Sequence, residues 1–435
     1  MTTNSPGPFS IDEPPRVTTA GRPVEKVSTG YVWMLIIAFL GVYLAFVTPL
    51  GYSMAIKISR IAPGHQEYLG YVTGVGAFAS MVAGPVVGML SDRTRSRFGR
   101  RRPFLVLGSV IGMLGLLVMA EASSALVLGI GWMVTQMGWG PVTNLLLTSQ
   151  ADMLPEAQRG RVSGLTGVVN QVAPIIGVLI AGGFVDNSLL LFLVPGVLGL
   201  IAMLVFVLRV DEPDSRSLPP APKGDMLRTI AKSYVFNPRR YPDFAWNWFG
   251  KFLVFFGITL NTTFTTFFIA ERTGKDVTDV AGTIAILGMS SVVSAVLGAV
   301  GGGFLSDRLQ RRRILTLIGA VFFGAGAALM ALAPTLALIV ASAFLANLGL
   351  GLFFSVDQAL TLDVLPERDT DAGRYMGVFA LAITLPQGLA PFLAPLFLLA
   401  GSSDGSKNYT LLYLVAGAVS ALGGLIIFFR VKSVR

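Results

Sequence analysis

Two short stretches, Gly88-Met-Leu-Ser-Asp-Arg93 and Gly303-Phe-Leu-Ser-Asp-Arg308, share one pattern and decide the fold. Each closes a long apolar segment, and each is followed by three consecutive arginines, at 100–102 and 311–313. The same motif at the end of two apolar segments indicates an internal repeat.

A second pattern recurs in the same order. Asp152-Met-Leu-Pro-Glu156 is followed by Gly-Arg at 160–161, and Asp363-Val-Leu-Pro-Glu367 is followed by Gly-Arg at 373–374. Because two independent motifs repeat in matching places, we infer that the chain arose by duplication of one half.

The composition predicts a membrane protein. Of 435 residues, 53% are hydrophobic and 13% are charged, whereas about a quarter of the residues of a soluble globule are charged. Apolar runs of about 18 to 25 residues recur, the length that crosses a bilayer as a helix, and continuously apolar runs exclude a barrel. The sequence therefore predicts an all-α fold of twelve transmembrane helices. We place them near 32–56, 68–90, 104–121, 125–151, 161–185, 189–208, 244–269, 278–304, 314–333, 336–362, 374–400 and 410–429.

The longest polar interruption lies between the sixth and seventh predicted helices and divides the chain into two six-helix bundles. A surface helix at 226–236 is expected within that interruption. The predicted parts are a disordered cytoplasmic tail (1–30), an N-terminal bundle (31–208), a central cytoplasmic loop (209–243), a C-terminal bundle (244–430) and a short cytoplasmic tail (431–435).

The net charge of +9 follows the topology. With loops assigned to alternate sides, 27 Lys and Arg lie on the side of both termini and five on the other. This asymmetry predicts cytoplasmic termini in a multi-pass protein of the cell membrane. The basic charge therefore does not indicate a nucleic-acid partner, and membrane lipid is the expected surrounding.

The repeated loop resembles the signature of the major facilitator superfamily, which has a glycine, an Asp-Arg pair and an arginine cluster between helices 2 and 3. The longer string Asp92-Arg-Thr-Arg-Ser-Arg-Phe-Gly-Arg-Arg-Arg-Pro-Phe104 resembles the glycoside-pentoside-hexuronide cation symporters and the sucrose transporters. The resemblance covers nearly the whole chain. It implies two pseudo-symmetric six-helix bundles around a central cavity that opens alternately to either side.

A cytoplasmic gate is expected at the repeated loops. Asp92 and Asp307 lie at helix ends, where a carboxylate facing a neighbouring helix N-terminus contributes about 0.3–1 kcal/mol. We expect Asp92 to reach the start of helix 11 and Asp307 the start of helix 5, with nearby charges exchanging partners during opening. The alternative is that the arginines only fix the topology. The predicted gate comprises Asp92, Arg93, Arg102, Asp152, Arg161, Asp307, Arg308, Asp363 and Arg374.

Two ionisable residues lie well inside predicted helices, Lys251 in the seventh and Asp357 in the tenth. Both are about 9–10 Å from the cytoplasmic end at 1.5 Å per residue. Since an unpaired charge there costs about 2.5–3.5 kcal/mol, each is the expected partner of the other. We predict that Asp357 binds and releases a proton during transport; a permanent ion pair is the alternative. Residues 68–90 contain no acidic residue, unlike the second helix of sodium-using relatives, so a proton is the expected coupling ion.

Polar side chains in the cavity helices favour a neutral, polar small-molecule solute such as a sugar or glycoside. Gln136, Trp139 and Thr143 share one helix face by their spacing. Any single candidate could instead hydrogen-bond a neighbouring helix. The predicted substrate-binding set is Tyr52, Gln136, Trp139, Thr143, Asn144, Asn170, Gln171, Asn261, Thr262, Thr265, Gln358 and Gln387.

Other functions have weaker support. Ala173-Pro-Ile-Ile-Gly177 partly resembles the antiporter motif of drug and metabolite exporters, so a proton-coupled exporter is the main alternative. An enzyme is not expected, because the sole histidine, His65, lies in an outer loop and Asp357 has no second carboxylate at its depth. A receptor would bind without flux. No cysteine is present, and no metal or other cofactor is expected. Two fused halves make a monomer sufficient.

Overall fold

The computed structural model describes residues 26–212, 214–216, 236–367, 371–401 and 407–433. Most of the predicted N-terminal tail and of the predicted surface helix lies outside these residues. The α-helices are α1 (Thr29–Thr48), α2 (Met54–Ile61), α3 (Tyr68–Arg93), α4 (Arg102–Glu121), α5 (Ala125–Met153), α6 (Glu156–Gly182), α7 (Ser188–Arg209), α8 (Pro242–Thr263), α9 (Thr265–Thr273), α10 (Ala281–Leu309), α11 (Arg312–Leu332), α12 (Leu336–Asp363), α13 (Ala372–Leu399) and α14 (Tyr409–Arg430).

The all-helical membrane fold is confirmed. Among the described residues, ten helical segments are long and apolar enough to cross a membrane, or eleven if the bent pair α8 and α9 counts as one span. Helix α5 has 29 residues but carries much of the predicted polar set, and it is not among those spans. The count of twelve and the cytoplasmic position of the termini stay predictions.

Several helices begin at a residue whose side chain satisfies a free backbone N–H. The side chains of Ser28, Ser124, Asn187, Thr335 and Asn408 each accept a hydrogen bond from the backbone N–H three residues later. Such N-caps stabilise a helix by about 1 kcal/mol each. They also define the residue at which each of these helices begins.

Two spans are interrupted rather than straight. A π-helical turn, Pro49–Ser53, joins α1 to α2, and Pro49 has no N–H to donate to the preceding turn. Helices α8 and α9 meet at Phe264 with a bend of 49°. The predicted polar residues Asn261 and Thr265 lie at this bend.

Glycines let helices approach backbone to backbone. A Cβ atom on Gly138 of α5 would overlap the Gly112 backbone of α4, and one on Gly298 of α10 would overlap the Leu348 carbonyl of α12. A larger residue at either position would separate the helices, which is the packing role of small residues in membrane bundles.

The chain forms two compact units. The first unit comprises Met1–Ser53 and Ala79–Lys223, and the second comprises Met54–Phe78 and Gly224–Arg435. The second unit thus includes α2 and the first turns of α3, which precede the predicted division after residue 208. That division of the chain stays a prediction.

Each unit has its own apolar core. In the first unit the buried cluster includes Phe39, Trp139 and Phe206. In the second unit it includes Phe244 and Phe379, together with side chains of α12 and α14.

Candidate functional site

The structure brings Lys251 of α8 and Asp357 of α12 together. The Lys251 ammonium donates a hydrogen bond to Oδ2 of Asp357 at 2.5 Å, and the two side chains are 9% and 4% exposed. The ammonium also lies 4.1 Å from the ring centroid of Phe379 on α13, a distance that permits a cation–π interaction. Three helices of the second unit therefore converge on one buried charge pair.

The surroundings of this pair are largely apolar. Phe244 on α8, Phe353 and Leu360 on α12 and Phe379 on α13 belong to one buried cluster. In such surroundings the attraction between the two charges is strong, but removing them from water is costly. Oδ1 of Asp357 has no hydrogen-bond partner among the described residues, so the carboxylate keeps an acceptor for a proton.

Asn247 is a polar residue of this site that sequence reasoning missed. It lies one turn before Lys251 on α8 and is fully buried, and neither of its amide atoms has a hydrogen-bond partner among the described residues. Residues four apart share a helix face, so the spacing from Lys251 was the available signal. The buried amide of Asn247 therefore adds a third polar side chain to the site formed by Lys251 and Asp357.

A cavity of about 590 Å³ lies at the start of α8 in the second unit. The Tyr241 hydroxyl donates a hydrogen bond to Oε1 of Glu367 at 2.5 Å, and this bond raises the pKa of Tyr241 to about 12. Lys251 is ten residues further along the chain, about 15 Å as helix. The lining residues are Phe236, Asn237, Pro238, Arg240, Tyr241, Glu367, Arg374 and Tyr375.

The repeated loops form equivalent ion pairs in the two units. Arg101 bonds to Oδ2 of Asp152, and Arg312 bonds to Oδ2 of Asp363; each pair joins residues 51 apart in the chain. Each joins the start of one helix to the end of the next, α4 to α5 and α11 to α12. Arg101 and Arg312 were not in the predicted gate, because the spacing did not show which of three arginines meets the aspartate.

The third arginine of each triplet has a different partner. Arg102 bonds to the Val207 carbonyl and, at 3.0 Å, to Oδ1 of Asp211. Arg313 donates to the Val431 carbonyl at 2.5 Å. Both therefore tie the start of a helix to the end of the last helix of the same half.

A carboxylate lies at the N-terminus of α4. Oε2 of Glu212 accepts hydrogen bonds from the backbone N–H groups of Arg101 and Arg102 at 2.9 and 3.0 Å. A negative charge is stabilised there by the helix dipole and by the free N–H groups. Sequence reasoning missed Glu212, because the contact depends on how the chain returns after α7.

Other members of the predicted gate are accessible. Arg374 pairs with Asp371 at 3.1 Å, three residues before it. A role of the set in gating stays a prediction. The exposed members are Asp92, Arg93, Arg161, Asp307 and Arg308.

The predicted substrate residues of the first unit divide into buried and accessible groups. Tyr52 and Trp139 are fully buried, and Trp139 packs on Gly112 of α4. The Thr143 hydroxyl donates to the Trp139 carbonyl at 3.0 Å. In this structure Tyr52 and Trp139 therefore serve packing, and substrate contact by them stays a prediction. The exposed members in this unit are Asn144, Asn170 and Gln171.

Two buried polar atoms on α5 lack partners. Oε1 of Gln136 and Nε1 of Trp139 have no hydrogen-bond partner in the part of the chain that the structure describes, and Gln136 is 8% exposed. Buried polar atoms are usually hydrogen-bonded. The two atoms are exceptions that protein encloses in this structure, and their contact with a solute stays a prediction.

In the second unit the predicted polar residues cluster at the bend between α8 and α9. The hydroxyls of Thr262 and Thr265 donate to the carbonyls of Ile258 and Asn261, both at 3.0 Å. Each threonine hydroxyl is thus engaged as a donor and keeps its acceptor capacity. Gln358, next to Asp357 in the chain, and Gln387 on α13 are exposed.

Comparison with known proteins identifies the class. The chain matches the family model of the Major Facilitator Superfamily over residues 33–302 and 248–435. It belongs to that superfamily and is a multi-pass membrane transporter.

Individual relatives match less of the chain. It is 34% identical over 99 residues to the general alpha-glucoside permease of Schizosaccharomyces pombe, which is 23% of this chain and 18% of that protein. It is 32% identical over 96 residues to the galactose-proton symporter of Escherichia coli strain K12, which is 22% of this chain and 20% of that protein. The matched stretches thus span about a fifth of each relative's length.

Solved structures support the fold over nearly the whole chain. The crystal structure of the nucleoside transporter NupG aligns with a TM-score of 0.73 at 14% identity, covering 93% of this chain and all of that one. At this identity the likeness shows the fold alone.

Proposed function

We propose that this protein is a secondary active transporter that works by alternating access and couples the entry of a sugar or glycoside to a proton. The observation that carries the proposal is the buried pair of Lys251 and Asp357 in the second unit. Ionisable residues inside membrane helices are costly, and they mark proton or solute pathways.

In this proposal Asp357 carries the proton. When its carboxylate is ionised, Lys251 neutralises it at 2.5 Å. When the carboxylate binds a proton, the attraction to the ammonium is lost and α8 and α12 are free to separate. The free acceptor at Oδ1 receives the proton without first displacing Lys251. We propose that water reaches the pair from the cavity at the start of α8, past the amide of Asn247.

The solute is proposed to be neutral and polar. Amides and hydroxyls make up most of the predicted set, and Gln136 and Trp139 provide buried atoms that lack partners. The relatives named above are an alpha-glucoside permease and a galactose-proton symporter, which favours a sugar. A monomer in the cell membrane, gated at the cytoplasmic loops, completes the proposal.

The exporter alternative rests on the Pro174 motif of α6. A Cβ atom on Gly177 would overlap the Thr48 hydroxyl, so close packing between α6 and α1 accounts for that glycine. We therefore favour symport and make export an outcome of the experiment.

The purified protein is reconstituted in liposomes, and uptake of labelled sucrose, maltose and simple sugars is measured with and without an inward proton gradient. We expect a gradient-stimulated uptake that Asp357→Asn abolishes. The matched control is Asp186→Asn, which changes an exposed aspartate and should leave the stimulation intact. Proton movement that is triggered by lipophilic cations, with no sugar flux, would instead establish the exporter.

A further inference from the structure

A buried ion pair joins two distant loops in the second unit. The Lys407 ammonium lies 2.7 Å from Oε2 of Glu67, and both side chains are 8% exposed. The contact is close enough for an ion pair, but it does not have hydrogen-bond alignment. Nδ1 of His65 lies 3.0 Å from the other oxygen, Oε1. Since a carboxylate oxygen accepts, His65 donates, and both oxygens of Glu67 face a donor.

A second contact lies directly beside this pair. The Tyr409 hydroxyl donates to Oε1 of Gln66, and Tyr409 is 1% exposed. The His65 ring stacks on Tyr68 with the centroids 5.0 Å apart. The loop between α2 and α3 is therefore joined to the start of α14 by two contacts, from Glu67 to Lys407 and from Gln66 to Tyr409.

Glu67 is ionised in its contact with Lys407. Burial raises the pKa of the Glu67 carboxyl, but the contacts with Lys407 and His65 outweigh this effect and hold its pKa below the ordinary value. The same contacts therefore favour the closed arrangement while Glu67 is charged.

Close helix packing continues below the ion pair. A Cβ atom on Gly70 would overlap the Pro391 carbonyl, and one on Gly74 would lie 2.9 Å from the Gly388 carbonyl. The first two turns of α3 thus lie backbone to backbone against α13. Aromatic side chains pack beside these glycines, because the rings of Tyr71 on α3 and Phe392 on α13 lie 5.5 Å apart, centroid to centroid.

The arrangement is suited to a contact that opens. A buried ion pair is often no more stabilising than an apolar pair of the same size, so static packing does not require it. When the pair separates, both charges regain water, which lowers the cost of opening compared with exposing apolar side chains. Helix α3 begins in the second unit and continues into the first after Phe78.

We propose that His65, Glu67 and Lys407, together with Gln66 and Tyr409, form a gate at the start of α14, the end of that helix opposite the Arg313–Val431 contact. The inference rests on the alternating-access cycle proposed above and adds the residues that close this end. Opening of this gate requires the Glu67–Lys407 pair to break. While the pair is formed, solute cannot enter or leave on this side.

The test uses the absence of cysteine in the chain. Spin labels are attached at Pro63→Cys and Ala400→Cys, two exposed positions on the two sides of the gate, and their separation is measured by double electron–electron resonance in nanodiscs. We expect one dominant short distance in the labelled parent. Glu67→Gln and Lys407→Gln should each raise the ratio of long to short distances about tenfold or more, because each leaves a buried group without its partner.

Two controls separate gating from misfolding. Lys407→Arg keeps the charge and should keep the short distance. Glu121→Gln changes an exposed glutamate at the end of α4 and should have no effect. If Glu67→Gln does not fold, the comparison of Lys407→Gln with Lys407→Arg carries the test.

The measurement needs neither a solute nor a proton gradient, so it is independent of the transport assay. Identical distance distributions in the parent, Glu67→Gln and Lys407→Gln would overturn the gate even if gradient-driven uptake proceeds. A longer distance in both variants, with no sugar uptake by the parent, would support the gate and reject the proposed solute.

Discussion

The two units share an arginine–aspartate bridge at matching helix ends, but they differ in the residue six positions before the aspartate of that bridge. At the ends of the helices, Arg101–Asp152 in the first unit and Arg312–Asp363 in the second make the same bond over the same chain separation. Six residues before Asp152 the first unit has Leu146, which is fully buried. Six residues before Asp363 the second unit has Asp357, which is paired with Lys251.

This comparison separates architecture from proposed function. Arginine–aspartate bridges at the helix ends occur in both units, which indicates that they hold neighbouring helices together in either half. Of these two matched positions, only the one in the second unit carries a charge that pairs with another buried charge. Since a buried leucine serves packing equally well there, the charge at Asp357 requires a reason other than folding.

The largest expected effect comes from making the second unit resemble the first. Lys251→Met alone leaves the Asp357 carboxylate buried without its partner and should lower the free energy of unfolding by about 3–5 kcal/mol. Lys251→Met with Asp357→Leu should recover most of that loss and still abolish proton-stimulated uptake. Thermal unfolding in detergent and liposome uptake check the two parts; a double variant that is coupled normally would contradict the account.

The matched bridges should differ in strength. Arg101 is 6% exposed and Arg312 is 24% exposed, whereas their partners Asp152 and Asp363 are 43% and 32% exposed. Solvent screens both bonds at the carboxylate, and the two differ in the burial of the arginine. Arg101→Gln should cost about 1 kcal/mol and Arg312→Gln about 0.5 kcal/mol. Arg161→Gln, at an exposed position, is the control for thermal unfolding. A larger loss for Arg312→Gln would show that exposure does not set the strength.

The smallest effect is expected at Glu212. Glu212→Gln keeps an acceptor for the N–H groups of Arg101 and Arg102 but removes the charge from the helix terminus. The expected loss is about 0.3–1 kcal/mol, and it should shrink as salt is raised. Asp276→Asn, at an exposed aspartate of a loop in the second unit, is the control. A loss that is independent of salt would assign the effect to hydrogen bonding alone.

Much of the fold could be predicted from the apolar runs. The predicted span 104–121 corresponds to Arg102–Glu121, and 189–208 corresponds to Ser188–Arg209. Helix length in a membrane is limited by the hydrocarbon thickness, so the runs define the helices closely. The break at Pro49–Ser53 was missed, because apolarity alone does not show where a helix bends.

The candidate site could be predicted in part. Lys251 and Asp357 could be predicted to pair, because each lies at the same depth in the membrane and an unpaired charge there costs free energy. Glu67, Asn247 and Glu212 were missed, and His65 was given no role. Their contacts depend on which loops meet in space, which residue spacing does not show.

The most direct test of Asp357 as the coupling residue compares two modes of transport in the same liposomes. We predict that Asp357→Asn abolishes proton-driven accumulation of labelled sugar and retains equilibrium exchange of labelled for unlabelled sugar, since exchange needs no net proton release. Accumulation by Asp357→Asn at the rate of the unmodified protein would contradict the account and leave the Lys251–Asp357 pair with a structural role.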